Sequence, residues 1–551
     1  MKTLDRCPRT WSPSGRAPGE LRHLATTTSS LARPAVFVLF TLLVSGVFGW
    51  LAAHNLANFP PVSNDEVELI AVGYKLATQG VLGSDMYAGF FGGDLHHFET
   101  LPLQHVLDAV CFRVFGAGVV QARGVSLLAG ISIVWTAGYL AYRWYGLASA
   151  LVCELLLVAW PSNLTAASNG LPLIGVSRAA RYDVLAVATV WLAILLVDAT
   201  LRHRSAGKAL AVGLCCGLAT LSQFFGSFVL VLVLAVWLWS RSSVGLVAAW
   251  LAGVALVIAP YGVFAARYAA DLAGQLSVFG SRGDFLRPGF YFENLMSEWT
   301  RYAHLVPTTL STWLLAAGLL PSVLSLAWRK STGNRLLLSS LAVFLAALTL
   351  LDQTKVPLYS VLMWPSICLV LAAGLSALLG WTRPSRRPAW FRLAPGLTAL
   401  LVLAGIGLEG VAAYGADWVE ATQATPYLVV GQQIQAAVPP GSRVLGPERW
   451  WWPLHDHAYV SLRSLWFQWS AAAAEARGDP RFVDWVSRAR PDTLIVNINV
   501  RADVQAFPDA LQRQFWEFLE RCTSLAADLD DPTYFDTQVY AVLRPPPETC
   551  G

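Results

Sequence analysis

Charge is what this sequence has least of. Only 13% of its 551 residues are Asp, Glu, Lys or Arg, about half the share in an ordinary soluble protein, which argues against a purely cytosolic enzyme. The 39 basic and 35 acidic side chains nearly cancel, so nucleic-acid binding has little support. No Cys or His spacing resembles a zinc site. The run His455-Asp456-His457 lies beside Trp450, Trp451 and Trp452 and reads as a wet loop near an interface. There is no internal repeat and no low-complexity tract beyond Ala471 to Ala474. What the chain has instead is apolar surface: 55% hydrophobic residues, 23 tryptophans and a mean hydropathy of +0.50 point to one large membrane body with something smaller attached.

A bilayer core takes about twenty mostly apolar residues. The first such run, Ala35 to His54, follows a tail (residues 1–34) carrying Arg6, Arg9, Arg16, Arg22 and Arg33. It is longer than a signal-peptide core and has no small-x-small cleavage site, so it reads as an uncleaved anchor. Further spans are expected at 121–142, 147–163, 184–199, 209–222, 224–240, 244–264, 307–327, 336–351, 359–380 and 394–413, eleven with the first. Alternating them gathers Arg143, Arg202, Arg204, Lys208, Arg241, Arg329, Lys330, Arg335, Arg383, Arg386, Arg387 and Arg392 on one side. By the positive-inside rule that side is cytoplasmic, which makes this a multi-pass plasma (inner) membrane protein with a cytoplasmic N-terminus and an extracytoplasmic C-terminus. The transmembrane module is then 35–413, and the first external loop 55–120. Within that loop Leu103 to Phe115 is short for a crossing and is broken by Asp108 and Arg113, so it reads as an amphipathic helix at the outer interface.

Beyond residue 413 hydropathy falls. Residues 414–551 carry eleven Arg, no Lys and seventeen acids, and Arg443 to Gly446, Thr493 to Asn497 and Thr537 to Leu543 read as strands. Helical runs near 426–438, 479–489 and 508–521 lie between them, giving a small external α/β domain. Six of the eight cysteines fall in the tail, the interfacial helix or spans, as small apolar packers. Cys522 and Cys550 fall in the external domain and would pair if that compartment is oxidising.

Polar residues concentrate in the first loop: Asn64-Asp65-Glu66-Val67-Glu68, Asp85, Gly92-Gly93-Asp94 and His96-His97-Phe98-Glu99. Asn64 or Asp65 would cap a helix starting near Glu66, with the acids facing water. Equally, such density in a chain so poor in charge suits general base chemistry. A second group, Ser177-Arg178-Ala179-Ala180-Arg181-Tyr182-Asp183, puts two arginines on the outer face against the positive-inside pattern. Arg123, and Lys355 within Asp352 to Tyr359, do the same. Each pairs with a local acid such as Asp183, or serves an anionic ligand such as a lipid phosphate.

In this order and sidedness, Asn64-Asp65-Glu66, His97-Phe98-Glu99 before a Pro-Leu helix, Ala122-Arg123, Ser177-Arg178 through Asp183, and Lys355-Val356-Pro357-Leu358-Tyr359 with Pro365 resemble the GT-C membrane glycosyltransferases. They are most similar to the bacterial branch related to protein O-mannosyltransferases and lipid A aminoarabinose transferases. The resemblance covers about residues 35–380, and the α/β tail is similar to tails in that branch. It implies a polytopic α-helical fold, a polyprenyl-phosphate-linked sugar donor, and inverting transfer on the outer face to a glycan, lipid or protein acceptor. Asp65 would correspond to the catalytic base with Glu66 beside it. Arg123, Arg178, Arg181, Lys355 and Tyr359 would meet the donor phosphate, with Asp94, His96, His97, Glu99 and Asp183 around the substrate. One departure is plain: many relatives have a Lys-Pro after Phe-Glu, whereas this chain has Phe98-Glu99-Thr100-Leu101-Pro102. No metal is expected, although Asp65 with Asp94 would be the pair to hold a divalent cation as in the oligosaccharyltransferase branch. Two other classes stay open: a transporter or flippase of a lipid-linked glycan, which would use the intramembrane Glu154, and a non-catalytic envelope scaffold.

Overall fold

The computed structural model describes residues 20–161, 171–277, 287–302, 310–380, 389–464, 466, 482, 486, 489–506 and 509–543. Helix α1 (Glu20–Ala53) carries the first apolar run, and α2 (Asn64–Gln79) and α3 (Pro102–Phe115) follow in the first loop. The bundle continues through α4 (Val119–Tyr145), α5 (Leu147–Ala159), the short α6 (Pro172–Ser177), α7 (Tyr182–His203), α8 (Ala206–Ser222), α9 (Phe228–Trp239) and α10 (Val244–Arg267). After the short α11 (Ala269–Ser277), α12 (Pro288–Met296) and α13 (Glu298–Tyr302) come α14 (Leu310–Trp328), α15 (Thr332–Leu351), α16 (Trp364–Gly380) and α17 (Ala389–Gln423). Each of the eleven expected apolar runs falls on an apolar helix; six of these are long enough to cross a membrane and five are shorter. Many large apolar side chains on α1, α10 and α17, such as Leu43, Leu256 and Leu408, face outward, as lipid contact requires. At the crossing of α8 and α10 two glycines touch: a Cβ on Gly213 would stand 2.0 Å from the Trp250 carbonyl oxygen, so only glycine permits that approach.

Helix α3 is amphipathic, with its polar side inward. Asp108 is buried, accepts Gln104 Nε2 at 2.9 Å and abuts Gly73 of α2, while Val106, Val110 and Val114 are 43%, 57% and 65% exposed. An apolar face turned away from the protein core is the pattern of a helix lying at a membrane interface.

Residue 413 is not a break in secondary structure. Helix α17 runs on to Gln423 because its extra turns find partners: Asp417 meets Arg178, and Trp418 stacks on His54 with ring centroids 3.4 Å apart. Helix α18 (Tyr427–Ala437) then leads into a five-stranded mixed sheet. Its strands are β1 (Arg443–Gly446), β2 (Ala458–Ser461), β3 (Thr493–Asn497), β4 (Thr523–Leu529) and β5 (Thr537–Val542), in the order β2-β1-β3-β5-β4. Strand β1 is parallel to both its neighbours, and β5 is antiparallel to both of its own. The three expected strands are present. Strands β2 and β4, which had no clear alternating signal, are the two edges, where one partner and partial exposure weaken the pattern. The expected helices near 426–438 and 508–521 appear as α18 and Asp509–Cys522, whereas most of 479–489 lies outside the described residues. Cys522 is disulfide-bonded, and Cys550, its expected partner, lies outside the described residues.

One apolar core joins the first loop to this α/β segment. Val62, Val67 and Ile70 pack with Tyr427, Trp450 and Tyr534, Tyr427 and Trp450 stacking at 5.8 Å. The Tyr534 hydroxyl accepts the Val62 amide at 3.3 Å.

Candidate active site

The first turn of α2 decides where the two candidate carboxylates point. Ser63 is the N-cap: its Oγ accepts the Glu66 amide at 3.3 Å, and its own amide donates to Glu66 Oε2 at 3.3 Å, a capping box. Asn64 and Asp65, the expected caps, are therefore inside the helix, and Asn64 Oδ1 accepts the Arg449 amide from the α/β segment at 3.1 Å. Each helical residue turns about 100° from the last. Asp65 and Glu66 thus leave α2 in different directions.

Glu66 points inward. Its carboxylate accepts Arg123 Nε at 2.8 Å, Arg123 Nη2 at 2.7 Å and the Ala180 amide at 2.8 Å. Arg123 also donates to the Leu56 and Pro60 carbonyls at 2.8 Å each. Both side chains are fully buried, so Arg123, expected at the donor phosphate, is committed instead to tying the loop to α4. Arg178 is placed similarly, 3.2 Å from Asp417 Oδ2, donating to the His54 carbonyl at 2.9 Å and lying 4.4 Å over the Phe59 ring. Lys355 is buried too: its Nζ donates to Glu298 Oε2 at 2.8 Å and to the Thr349 carbonyl at 2.7 Å. Arg301 completes that cluster, 2.9 Å from both Glu298 Oε1 and Asp352 Oδ2. A buried cation needs opposite charge and hydrogen bonding; the protein supplies a carboxylate and carbonyls to each of these, although Arg178 Nε is left without a hydrogen bond among the described residues.

Asp65 points outward and is 51% exposed. Its Oδ2 accepts Arg181 Nη1 at 3.1 Å; Arg181 Nε donates to Asp183 Oδ2 at 2.8 Å; Asp183 Oδ1 accepts Gln223 Nε2 at 2.7 Å. The Arg181 main chain is fixed by its amide donating to Ser126 Oγ at 2.9 Å. Its Nη2 makes no hydrogen bond among the described residues. Burial disfavours the Arg181 cation, but Asp183, Tyr182 and Asp65 outweigh that and raise its pKa above the ordinary value. Tyr359 lies on a 3-10 turn, Pro357–Leu362, packed against α7, with its ring 5.5 Å from Phe225.

Behind Asp65 the loop and the α/β segment share a cluster of acids. Glu68 is buried with its Oε1 unbonded among the described residues, and Arg463 Nη1 stands 3.7 Å from its Oε2. Burial first, then Glu99, push the Glu68 pKa well up, against Arg463. Glu448 is also raised by burial, with Arg463 opposing. His97 hydrogen-bonds Thr100 Oγ1 through Nε2 at 2.9 Å and stacks on Tyr87; burial and then His105 lower its pKa, so it is neutral. Burial likewise lowers His105 to about 4. His96 turns elsewhere, with Nδ1 2.8 Å from Asp271 Oδ2 and its ring stacked on Tyr268. Asp94 is half-buried, and its carbonyl accepts Lys75 Nζ at 2.8 Å. Among the described residues no group of three or more His, Cys, Asp or Glu converges as metal ligands.

Gln223, Arg463, Glu448, Glu298 and Arg301 were not singled out from the sequence. Gln223 had a signal, the polar pair Ser222-Gln223 between two apolar runs. Glu298 and Arg301 had a weaker one, an i,i+3 pair of opposite charge. Nothing local marks Arg463.

The fold is shared with solved structures of ArnT and of an archaeal oligosaccharyltransferase. ArnT from Cupriavidus metallidurans, solved bound to undecaprenyl phosphate, matches with a TM-score of 0.55 at 15% identity, covering 94% of this chain and 98% of that one. The apo oligosaccharyltransferase of Archaeoglobus fulgidus matches with a TM-score of 0.58 at 12% identity, covering 92% of this chain and 74% of its own. AglB from the same organism, in complex with an inhibitory peptide and a dolichol-phosphate, gives 0.52 at 12% identity over the same shares. No protein-family model matches the chain, and no curated protein matches it in sequence.

Proposed function

We propose that the protein transfers a sugar from a polyprenyl-phosphate-linked donor to an acceptor on the outer face of the plasma membrane, with Asp65 as general base. The observation that carries this reading is the open Asp65–Arg181 pair, an exposed carboxylate beside a guanidinium with a donor to spare. Asp65 takes the proton of an acceptor hydroxyl or amine as that atom attacks the sugar C1. The bond from C1 to the phosphate oxygen breaks, its electron pair leaves on the phosphate, and the configuration inverts. Arg181 meets the phosphate charge through Nη2. Because the same guanidinium holds Asp65, an arriving phosphate would draw it away and leave the carboxylate more basic.

An apolar groove of about 450 Å³ between α3, α4 and α7 supports the lipid part of the donor, since it includes Leu185, about one turn below Arg181. The shared fold with proteins solved with undecaprenyl phosphate and dolichol-phosphate supports the same donor class. The outer-face assignment rests on the positive-inside rule, with Arg202, Arg204 and Lys208 at the α7–α8 connection and Arg241 at the α9–α10 connection, at the end of α7 away from Arg181. Glu154, the residue a transporter would use, is packed against Thr41, whose Oγ1 donates to it at 2.7 Å.

The test uses purified protein in lipid with a panel of polyprenyl-phosphate sugars and a cell-envelope extract as acceptor. Release of polyprenyl phosphate by the wild type and not by folded Asp65→Asn is expected. Donors left intact throughout, or a fully active Asp65→Asn, would overturn the reading and make flux of lipid-linked glycan across proteoliposomes the next measurement.

A further inference from the structure

A second cavity lies further along α2, roofed by the α/β segment. Its volume is about 700 Å³, within the usual range for small-molecule sites. Tyr74, Lys75 and Asp85 of the first loop line one wall, and Trp451, His455 and His457 the other. The aromatic groups of the lining form a preset surface: Tyr74 meets Trp451 and His455 edge-on at 6.0 and 5.6 Å, and Trp451 and His455 lie tilted at 6.1 Å. Lys75 is paired with Asp85, and at the rim Arg443 is balanced by Asp456. The formal charges therefore cancel, and nothing in the lining favours a phosphate or an amine over a neutral ligand. Both ring nitrogens of His457 are buried and take no hydrogen bond among the described residues, a cost that a turn of the ring toward a polar ligand in the cavity would relieve.

Aromatic faces, unused hydrogen-bonding groups and zero net charge together suit a polyol with an apolar C–H face. We propose that this cavity binds one or two neutral sugar units of a glycan chain. Its lining residues on α2, Ala71 to Gln79, lie about 9 to 21 Å along the helix axis from Asp65 at 1.5 Å per residue. A glycan chain long enough to span that distance would reach the carboxylate, so the site would hold the acceptor. That acceptor role rests on the transferase reading; the binding chemistry does not.

The experiment measures binding alone, so a failed transfer assay leaves it intact. Full-length protein in lipid is titrated with neutral trisaccharides of mannose, glucose, galactose and arabinose, and with inorganic phosphate, using saturation-transfer NMR and tryptophan fluorescence. At least one trisaccharide should bind more tightly than phosphate. His457→Ala and the exposed Gln79→Ala should each weaken that binding about tenfold, and Asp65→Asn should leave it unchanged. Gln79→Ala keeps the test valid if His457→Ala misfolds. Absence of any trisaccharide binding, a preference for phosphate, or binding lost in Asp65→Asn and kept in Gln79→Ala would each overturn the proposal.

Discussion

Two arginine–carboxylate regions sit side by side at the loop end of the bundle and have opposite characters. In one, Glu66 and Arg123 are fully buried and saturated by each other and by main-chain groups. In the other, Asp65 is half exposed and Arg181 keeps a donor unused. The carboxylates are adjacent in sequence and the chemistry of both pairs is the same, so surroundings alone separate a clamp from a candidate catalytic pair. The clamp also contributes to the site, because Glu66 accepts the amide of Ala180, the residue before Arg181. Rigidity next to an open pair is what a preorganised site requires.

Removing each half should show the contrast. The largest effect is expected for Asp65→Asn, which should cut transfer by about 10² to 10⁴ fold while leaving the thermal midpoint nearly unchanged, since the side chain is half exposed. Retention of the wild-type rate in this variant would erase the distinction between the two regions. Arg123→Ala leaves Glu66 buried without its counter-charge and should cost about 3–5 kcal/mol of stability, read as a fall in unfolding midpoint in detergent. Adding Glu66→Gln should recover part of that loss; no recovery would assign the clamp's importance to the Leu56 and Pro60 carbonyl contacts.

The buried side also predicts a pH effect. His105 titrates near 4 in the fold against 6.5 for the free side chain, so as pH falls below about 6.5 the unfolded chain binds the proton first. The contribution of His105 to stability should therefore drop between pH 6.5 and 4, by an amount of order 3 kcal/mol at most, and thermal unfolding of His105→Gln should show a flatter profile than wild type over that window. The smallest effect is expected for Arg181→Lys. Its point charge replaces a forked donor, so the donor KM should rise about tenfold with the midpoint little changed. A large loss of stability instead would mean that Arg181 also belongs to the clamp.

The bundle was legible in the sequence because hydropathy is a local property: about twenty apolar residues in a row suffice, whatever they later touch. The cap at Ser63 is equally local, a Ser-x-x-Glu spacing, but in the sequence Asn64 and Asp65, also good caps, compete with it. Asp65 stood out through its place after the first span. The roles of the cations did not. Arg123, Arg178, Arg181 and Lys355 look alike as basic residues on one face, yet three are buried among protein carboxylates and carbonyls, while Arg181 is partly open and keeps a donor beside the exposed Asp65. Arg463 left no trace, since its partners Glu68, Glu99 and Glu448 are hundreds of residues or one whole sheet connection away.

By itself the sequence determined the apolar helices, the gathering of polar residues in their connections, and the strands β1, β3 and β5, because each follows from composition and periodicity within a short window. Only the tertiary structure decided that the α/β segment shares a core with the first loop, that a neutral aromatic cavity forms between them, and that Arg181 is open where Arg123 is closed. Those outcomes depend on burial and on partners supplied from distant parts of the chain, and no short window contains them.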